Sequence, residues 1–135
     1  MSRIDSPAWR AWSGYAYESI CLHHISAIKK ALGISGVYTE ESSWIDIARN
    51  VQIDLLIDRR DHVINLCEVK FTQQPFVLTK SYKEELEKKL FTFREETRTR
   101  KSVFPTLITT FGLKDSVHSL GFIQSVVTMD DLFEA

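Results

Sequence analysis

Two neighbouring segments decide the fold, Val51-Gln52-Ile53-Asp54-Leu55-Leu56-Ile57-Asp58 and Val63-Ile64-Asn65-Leu66-Cys67-Glu68-Val69-Lys70-Phe71. Both are rich in β-branched and apolar residues, which favours β-strands. The short charged segment between them, Arg59-Arg60-Asp61-His62, suits the connection of a hairpin. The second segment has apolar residues on both of its faces, which is typical of a central strand covered on both sides. The two segments therefore predict a hairpin in the middle of a covered sheet.

Charged side chains occur where this hairpin should be buried. Alternation along a strand places Glu68 and Lys70 on one face. If Asp54 pairs with Glu68 across the hairpin, their Cβ atoms lie roughly 5 Å apart. Two close carboxylates and a lysine are costly on an apolar face unless something binds them, and a divalent metal ion, which takes oxygen ligands, is a natural compensator. Taken alone, a Glu-x-Lys triplet is equally compatible with an ion pair on a solvated face.

A third carboxylate falls within a predicted amphipathic helix, residues 14–32. The apolar stripe of this helix has the usual helical spacing and consists of Cys21, Leu22, Ile25, Ile28 and Leu32. Glu18 lies inside that stripe, and a glutamate on a buried face needs a partner. An ion pair at the helix end or the positive end of the helix dipole would supply one. Both alternatives are compatible with a helix that delivers Glu18 to Asp54 and Glu68.

The remaining pattern predicts an α/β fold. We expect strands near residues 36–45, 104–111 and 122–128, and helices at about 79–97 and 129–133. Strands separated by helices indicate a central mixed sheet of about four to five strands flanked by helices. The chain has 135 residues, of which 44% are hydrophobic and 26% charged, so it fits one globular domain, residues 1–135. Whether it is part of a longer protein stays open.

The ordered set of helix glutamate, aspartate and Glu-x-Lys resembles the PD-(D/E)xK nuclease superfamily. Within it, the chain resembles the nuclease-like domain at the C-terminus of prokaryotic ATPases of the STAND/AAA type. Three pieces carry this resemblance: Trp12-Ser13-Gly14-Tyr15-Ala16-Tyr17-Glu18, Gln52-Ile53-Asp54-Leu55-Leu56-Ile57-Asp58-Arg59 and Cys67-Glu68-Val69-Lys70-Phe71. One departure is Ile53, which stands where the family has proline. The resemblance implies a restriction-endonuclease-like core with αβββαβ order.

The resemblance also implies a catalytic site of Glu18, Asp54, Glu68 and Lys70 that hydrolyses DNA with Mg²⁺ or Mn²⁺. In it, Asp54 and Glu68 hold the metal, and the backbone carbonyl of Val69 completes the inner ligand set. Glu18 holds a metal-bound water or a second metal. The metal lowers the pKa of a bound water and neutralises charge on the phosphate. Lys70 positions the attacking water and stabilises the phosphate oxygens.

Auxiliary residues are expected from two places. Gln52 lies two residues before Asp54 and would either support the metal ligands or be a polar residue at the strand edge, and both interpretations stay open. In related nucleases the helix after the Glu-x-Lys strand adds a polar residue to the site. The resemblance therefore makes Lys80, Tyr82 and Lys83 auxiliary candidates.

The charge distribution gives a mixed indication of nucleic-acid binding. The net charge is −1, which is a weak footprint for DNA as a partner. Residues 80–101 nevertheless contain eight Lys or Arg and five Glu. For the middle of this helix we favour solvated i,i+4 pairs such as Glu85–Lys89. Its basic end, Arg98, Arg100 and Lys101, is the candidate nucleic-acid-binding segment.

Two function classes remain. The first is a metal-dependent nuclease, and the second is a catalytically silent domain that keeps the fold and works with an ATPase module in the same or another chain. The sequence lacks a G-x-x-x-x-G-K-[ST] loop, so the ATPase would be elsewhere. No apolar run is long enough for a membrane span, residues 1–7 lack the apolar core of a secretory signal, and the two cysteines suit reduced thiols, so we expect a cytoplasmic protein. The oligomeric state, including a homodimer, stays open.

Overall fold

The computed structural model describes residues 23–133. In chain order the elements are α1 (Ile25–Ala31), β1 (Thr39–Asp46), β2 (Val51–Arg59), β3 (Val63–Lys70), β4 (Phe76–Val77), α2 (Lys80–Thr97), β5 (Ser102–Thr109), β6 (Leu113–Lys114), β7 (Ser125–Thr128) and α3 (Met129–Phe133). The first 22 residues lie outside this description. They include Glu18 and the first nine residues of the predicted N-terminal helix, 14–22.

Five strands form the central sheet in the order β1-β2-β3-β5-β7. The pairs β1–β2 and β2–β3 are antiparallel, whereas β3–β5 and β5–β7 are parallel. The prediction of an α/β fold with a mixed central sheet of about four to five strands and flanking helices is therefore confirmed, and the sheet has five strands. The short strands β4 and β6 form a second, two-stranded sheet, which the sequence pattern did not predict.

Strand β3 is covered on both faces, as its composition predicts. Every residue from Ile64 to Val69 is buried. One face packs under α2, and the buried residues there include Ile64, Leu66, Leu86, Leu90 and Phe93. The other face packs under α1 and α3, and its buried residues include Ile28, Cys67, Ile108, Val127 and Leu132. Any polar side chain on β3 must therefore find its partner inside the protein.

Helix α2 begins where its sequence signal predicts. Thr79 is the N-cap, and its hydroxyl oxygen accepts a hydrogen bond from the Tyr82 N–H at 3.1 Å. The helix ends at Arg98, which adopts a left-handed conformation with φ of 52°. Between these ends α2 crosses the buried face of β3, so side chains on its inner surface reach the carboxyl end of that strand. None of the described helices is long and apolar enough to cross a membrane.

Candidate metal centre

Glu68 is a buried carboxylate with two hydrogen-bond donors on the same oxygen. Its side chain is only 2% exposed. Oε1 accepts hydrogen bonds from the Tyr82 hydroxyl at 3.0 Å and from Nζ of Lys89 at 2.6 Å. Oε2 is buried and has no hydrogen-bond partner among the described residues. An ionised oxygen without a partner is costly in a protein interior, so this atom is a candidate ligand for a bound cation.

Asp54 lies beside Glu68 because of the hairpin register. Leu55 pairs with Cys67 in the antiparallel ladder, and one further step along it brings Asp54 opposite Glu68. Oδ2 of Asp54 accepts a hydrogen bond from the N–H of Val69 at 3.3 Å. The carboxylate of Asp54 therefore contacts the residue that follows Glu68.

Strand β2 has a β-bulge at Asp54, in its pairing with β1. Ser42 pairs with Leu56 and Trp44 pairs with Ile53, so the register shifts between them. Two residues of β2, Asp54 and Leu55, consequently lie opposite the single residue between Ser42 and Trp44. Bulges of this kind redirect a side chain, and they are frequent next to functional sites. Regular alternation of side chains along β2 was expected to place Gln52 on the same face as Asp54. The bulge interrupts this alternation, and Gln52 is exposed.

Burial raises the pKa of Glu68 above its ordinary value. The positive charge of Lys89 opposes that rise, and the negative charge of Asp54 adds to it. Burial also raises the pKa of the Tyr82 hydroxyl, and the neighbouring charge of Glu68 raises it further. The Tyr82 hydroxyl therefore stays protonated and donates to the carboxylate.

Lys70 joins the same group of residues. Its Nζ lies 4.9 Å from the centroid of the Tyr82 ring, which is a cation–π distance. Because Tyr82 also donates to Glu68, one side chain contacts both the lysine and the buried carboxylate. The structure thus brings four residues together near the carboxyl end of β3: Asp54, Glu68, Lys70 and Tyr82.

Lys89 is a fifth member of this group that the sequence interpretation missed. We expected it to form a solvated pair with Glu85, and that expectation was wrong because its Nζ contacts Glu68. The position of Lys89 on the helix could have indicated this contact. Lys89 is three residues after Leu86 and four before Phe93, both of which are buried against the sheet. A lysine between such residues points toward the core side of its helix.

Two of the auxiliary candidates lie apart from this contact network. Nζ of Lys83 stacks over the ring of Phe122, 5.0 Å from its centroid. Lys80 is exposed in the first turn of α2. Of the candidates on this helix, Tyr82 contacts Glu68 directly.

The basic segment lies toward the other end of the parallel strands. Lys101 precedes Ser102, which pairs with Val63 at the start of β3. Glu68 is five residues further along β3, which corresponds to roughly 17 Å. Nζ of Lys101 forms an ion pair with Asp58 and donates to the carbonyl of Arg59. Arg98 and Arg100 are exposed near it, and DNA binding by this segment stays a prediction.

The residues present fit a divalent cation only in part. Asp54 and Glu68 supply oxygen ligands, and the unpartnered Oε2 of Glu68 is available to a cation. Within residues 23–133, no three His, Cys, Asp or Glu side chains come close enough together to hold a metal ion. The predicted third ligand, Glu18, lies outside the described residues. The described part of the site is therefore a two-carboxylate cluster with an open oxygen.

Comparison with known proteins identifies no relative of this chain. No protein-family model matches it. No curated protein and no solved structure matches it either. Its function must be argued from the site itself.

Proposed function

We propose that this chain is a metal-dependent nuclease domain of the PD-(D/E)xK type that hydrolyses DNA phosphodiesters with a metal-activated water. The observation that carries the proposal is Oε2 of Glu68 beside Asp54, a buried oxygen without a hydrogen-bond partner among residues 23–133. Buried polar atoms in proteins are nearly always hydrogen-bonded or bound to an ion or an ordered water. A divalent cation would satisfy this oxygen.

The order of the elements supports the same proposal. An antiparallel β1–β2–β3 unit is followed by α2 and by a strand, β5, that is parallel to β3. This order is compatible with the restriction-endonuclease-like core that the sequence resemblance implies. The cluster contains Asp54, Glu68 and Lys70, which are the residues that the aspartate and Glu-x-Lys pieces of that resemblance supply. Fold alone does not establish a function, and the cluster is the stronger support for this proposal.

Each residue of the cluster has a distinct role in this proposal. Asp54 and Glu68 would hold Mg²⁺ or Mn²⁺, which supplies an activated water and neutralises phosphate charge. Lys70, whose ammonium group lies against the Tyr82 ring, would stabilise negative charge on a phosphate oxygen. Tyr82 and Lys89 fix the orientation of Glu68 by donating to Oε1. Glu18 remains the proposed third carboxylate.

A second function is favoured by one specific contact. Lys89 already neutralises Glu68 without a metal ion, and a buried ion pair of this kind can be purely structural. In that case the chain would be a catalytically silent domain that acts with an ATPase module. The two functions differ in metal binding, because a structural Lys89–Glu68 pair has no need of a divalent cation.

The test compares the wild-type protein with Asp54→Ala in two assays, Mn²⁺ binding by calorimetry and cleavage of linear, circular and single-stranded DNA. Asp130→Ala is the matched control, since Asp130 is exposed in α3. We expect wild type and Asp130→Ala to bind Mn²⁺ and cleave DNA. Asp54→Ala should lose both Mn²⁺ binding and DNA cleavage. Wild-type protein that neither binds Mn²⁺ nor cleaves any of these DNAs would favour the silent domain.

A further inference from the structure

Phe111 is an exposed aromatic residue close to the proposed metal centre. It is 58% exposed. It comes two residues after Thr109, the last residue of β5, and Thr109 pairs with Lys70 in the parallel ladder. Neighbouring strands lie about 4.8 Å apart, and two residues span at most about 7 Å. The Cα atoms of Phe111 and Lys70 are therefore within about 12 Å of each other.

The backbone on both sides of Phe111 is held by hydrogen bonds. The hydroxyl oxygen of Thr110 accepts a hydrogen bond from the Thr72 N–H at 3.0 Å. The carbonyl of Gly112 accepts another from the Phe76 N–H at 2.9 Å. Gly112 has a φ of 85°, which glycine adopts without strain. Phe111 is therefore attached to an anchored turn rather than to a loosely held loop.

This turn is also connected to the buried cluster. Phe76 pairs with Leu113 in the two-stranded sheet. The ring of Phe76 packs edge-on against the ring of Tyr82, with the centroids 5.4 Å apart, and the Tyr82 hydroxyl donates to Glu68. A chain of contacts therefore runs from the turn to the carboxylate that would hold the cation.

An exposed aromatic face next to a site for phosphate suits a nucleobase. The bases of a single strand have free faces that stack on aromatic side chains, whereas the faces of bases inside a duplex are covered by their neighbours. The net charge of −1 gives the chain little attraction for the phosphate backbone of duplex DNA. A contact with the base itself supplies affinity that does not depend on that charge.

We propose that Phe111 stacks on an unpaired base near the scissile phosphate, so that the site acts on single-stranded DNA in preference to duplex DNA. This inference rests on the proposed nuclease function and specifies its substrate class. One strand of stacked DNA rises about 3.4 Å per nucleotide. The separation of at most about 12 Å therefore places the stacked base within about three nucleotides of a phosphate at Lys70.

The experiment measures the rate at which wild type, with Mn²⁺, cleaves a short single strand and the blunt duplex of the same sequence. Abasic sites, introduced one at a time around the cut, remove single bases and keep the backbone. We expect the single strand to be cleaved at least about tenfold faster than the duplex. An abasic site at one position near the cut should slow cleavage of the single strand by about tenfold, because one stacked base is lost.

Three variants identify the side chain that stacks. Phe111→Ala should cleave the intact single strand about tenfold more slowly than wild type and should be insensitive to the abasic site, because both changes remove the same contact. Phe111→Trp keeps an aromatic face and should retain both the rate and the sensitivity. Phe91→Ala is the matched control and should behave as wild type. Phe91 is 62% exposed, and its position two residues after Lys89 places it on a different side of α2.

The outcomes separate this inference from the proposed function. If wild type cleaves single-stranded and duplex DNA at the same rate, or if Phe111→Ala keeps the full sensitivity to the abasic site, Phe111 does not select the substrate and the nuclease function stands. If wild type cleaves neither form of DNA, both the inference and the proposed nuclease function fail.

Discussion

Nζ of Lys89 lies 2.6 Å from Oε1 of Glu68, and this ion pair joins the middle of α2 to the carboxyl end of the central strand β3. The Tyr82 hydroxyl reaches the same oxygen from one end of the helix. Both donors therefore converge on one oxygen of the carboxylate, and the other, buried oxygen has no hydrogen-bond partner in the described part of the chain. This asymmetry distinguishes the cluster from an ordinary buried ion pair, in which both oxygens are hydrogen-bonded.

Removing the Lys89 charge should destabilise the metal-free protein. Lys89→Met leaves Glu68 buried with only the Tyr82 hydroxyl as a donor, and breaking a buried pair in this way costs about 3 kcal/mol of unfolding free energy. Urea unfolding in the presence of a chelator measures this loss. Lys88→Met should stay within about 0.5 kcal/mol of wild type, as exposed substitutions usually do. Equal stability of the two variants would show that the ion pair contributes nothing.

The stability of the metal-free protein should depend on pH through Glu68. Because burial raises its pKa in the folded state above the ordinary value of 4.5, the folded protein binds this proton more tightly than the unfolded chain. The contribution of Glu68 to stability should therefore fall as the pH rises through its folded-state pKa, and recover on acidification toward 4.5.

The check is the difference in unfolding free energy between wild type and Glu68→Gln at several pH values. Subtracting the variant cancels the titration of the other carboxylates to first order. Wild type should gain stability relative to Glu68→Gln as the pH is lowered from neutral. A difference that is constant, or that changes in the opposite direction, would contradict the raised pKa.

The variant Tyr82→Phe should distinguish the contribution of the Tyr82 hydroxyl to stability from the contribution of its ring. The ring contacts with Phe76 and Lys70 remain possible in the variant, whereas the hydrogen bond to Glu68 is lost. Hydrogen bonds to charged groups contribute about 1.5–3 kcal/mol, and we expect a loss in this range by urea unfolding of the metal-free protein. Tyr38→Phe is the control because Tyr38 is exposed. If both variants lose the same free energy of unfolding, the hydrogen bond from Tyr82 to Glu68 does not contribute to stability.

The hairpin and the long helix could be predicted because their signals are local. The β-branched runs identify β2 and β3, and Thr79 caps α2 at the expected position. The two-residue strands Phe76–Val77 and Leu113–Lys114 could not be predicted, since two residues carry no periodicity. Their pairing depends on loops that meet only after the sheet has formed.

The site was predictable only where strand alternation determines it. Pairing across the hairpin brings Asp54 to Glu68, which follows from two adjacent strands. The Lys89 contact joins residues 21 positions apart through the packing of α2 on β3, and a lysine on an amphipathic helix is more often solvated. The bulge at Asp54 and Leu55 depends on the pairing of β2 with β1 and has no separate sequence signal.

Lys70→Met provides the most direct test of catalysis. Met keeps much of the bulk of the lysine stem and removes its charge. Metal binding should survive, since an ammonium group is not a ligand and its loss relieves repulsion with the cation. DNA cleavage should fall by about 10²-fold or more, as expected for the loss of one electrostatic contact to the transition state. Mn²⁺ calorimetry and a cleavage assay on the same preparations measure both quantities.

A structural Lys70 would behave differently. In that case its charge would mainly offset Asp54 and Glu68, and Lys70→Met would lower the melting temperature of the metal-free protein while cleavage stayed unchanged. Lys30→Met is the control, because Lys30 is exposed on α1, and it should alter neither quantity. A melting temperature that falls in Lys70→Met without any loss of cleavage would refute the catalytic role. A cleavage rate that falls while Mn²⁺ affinity is retained would place Lys70 at the reacting phosphate.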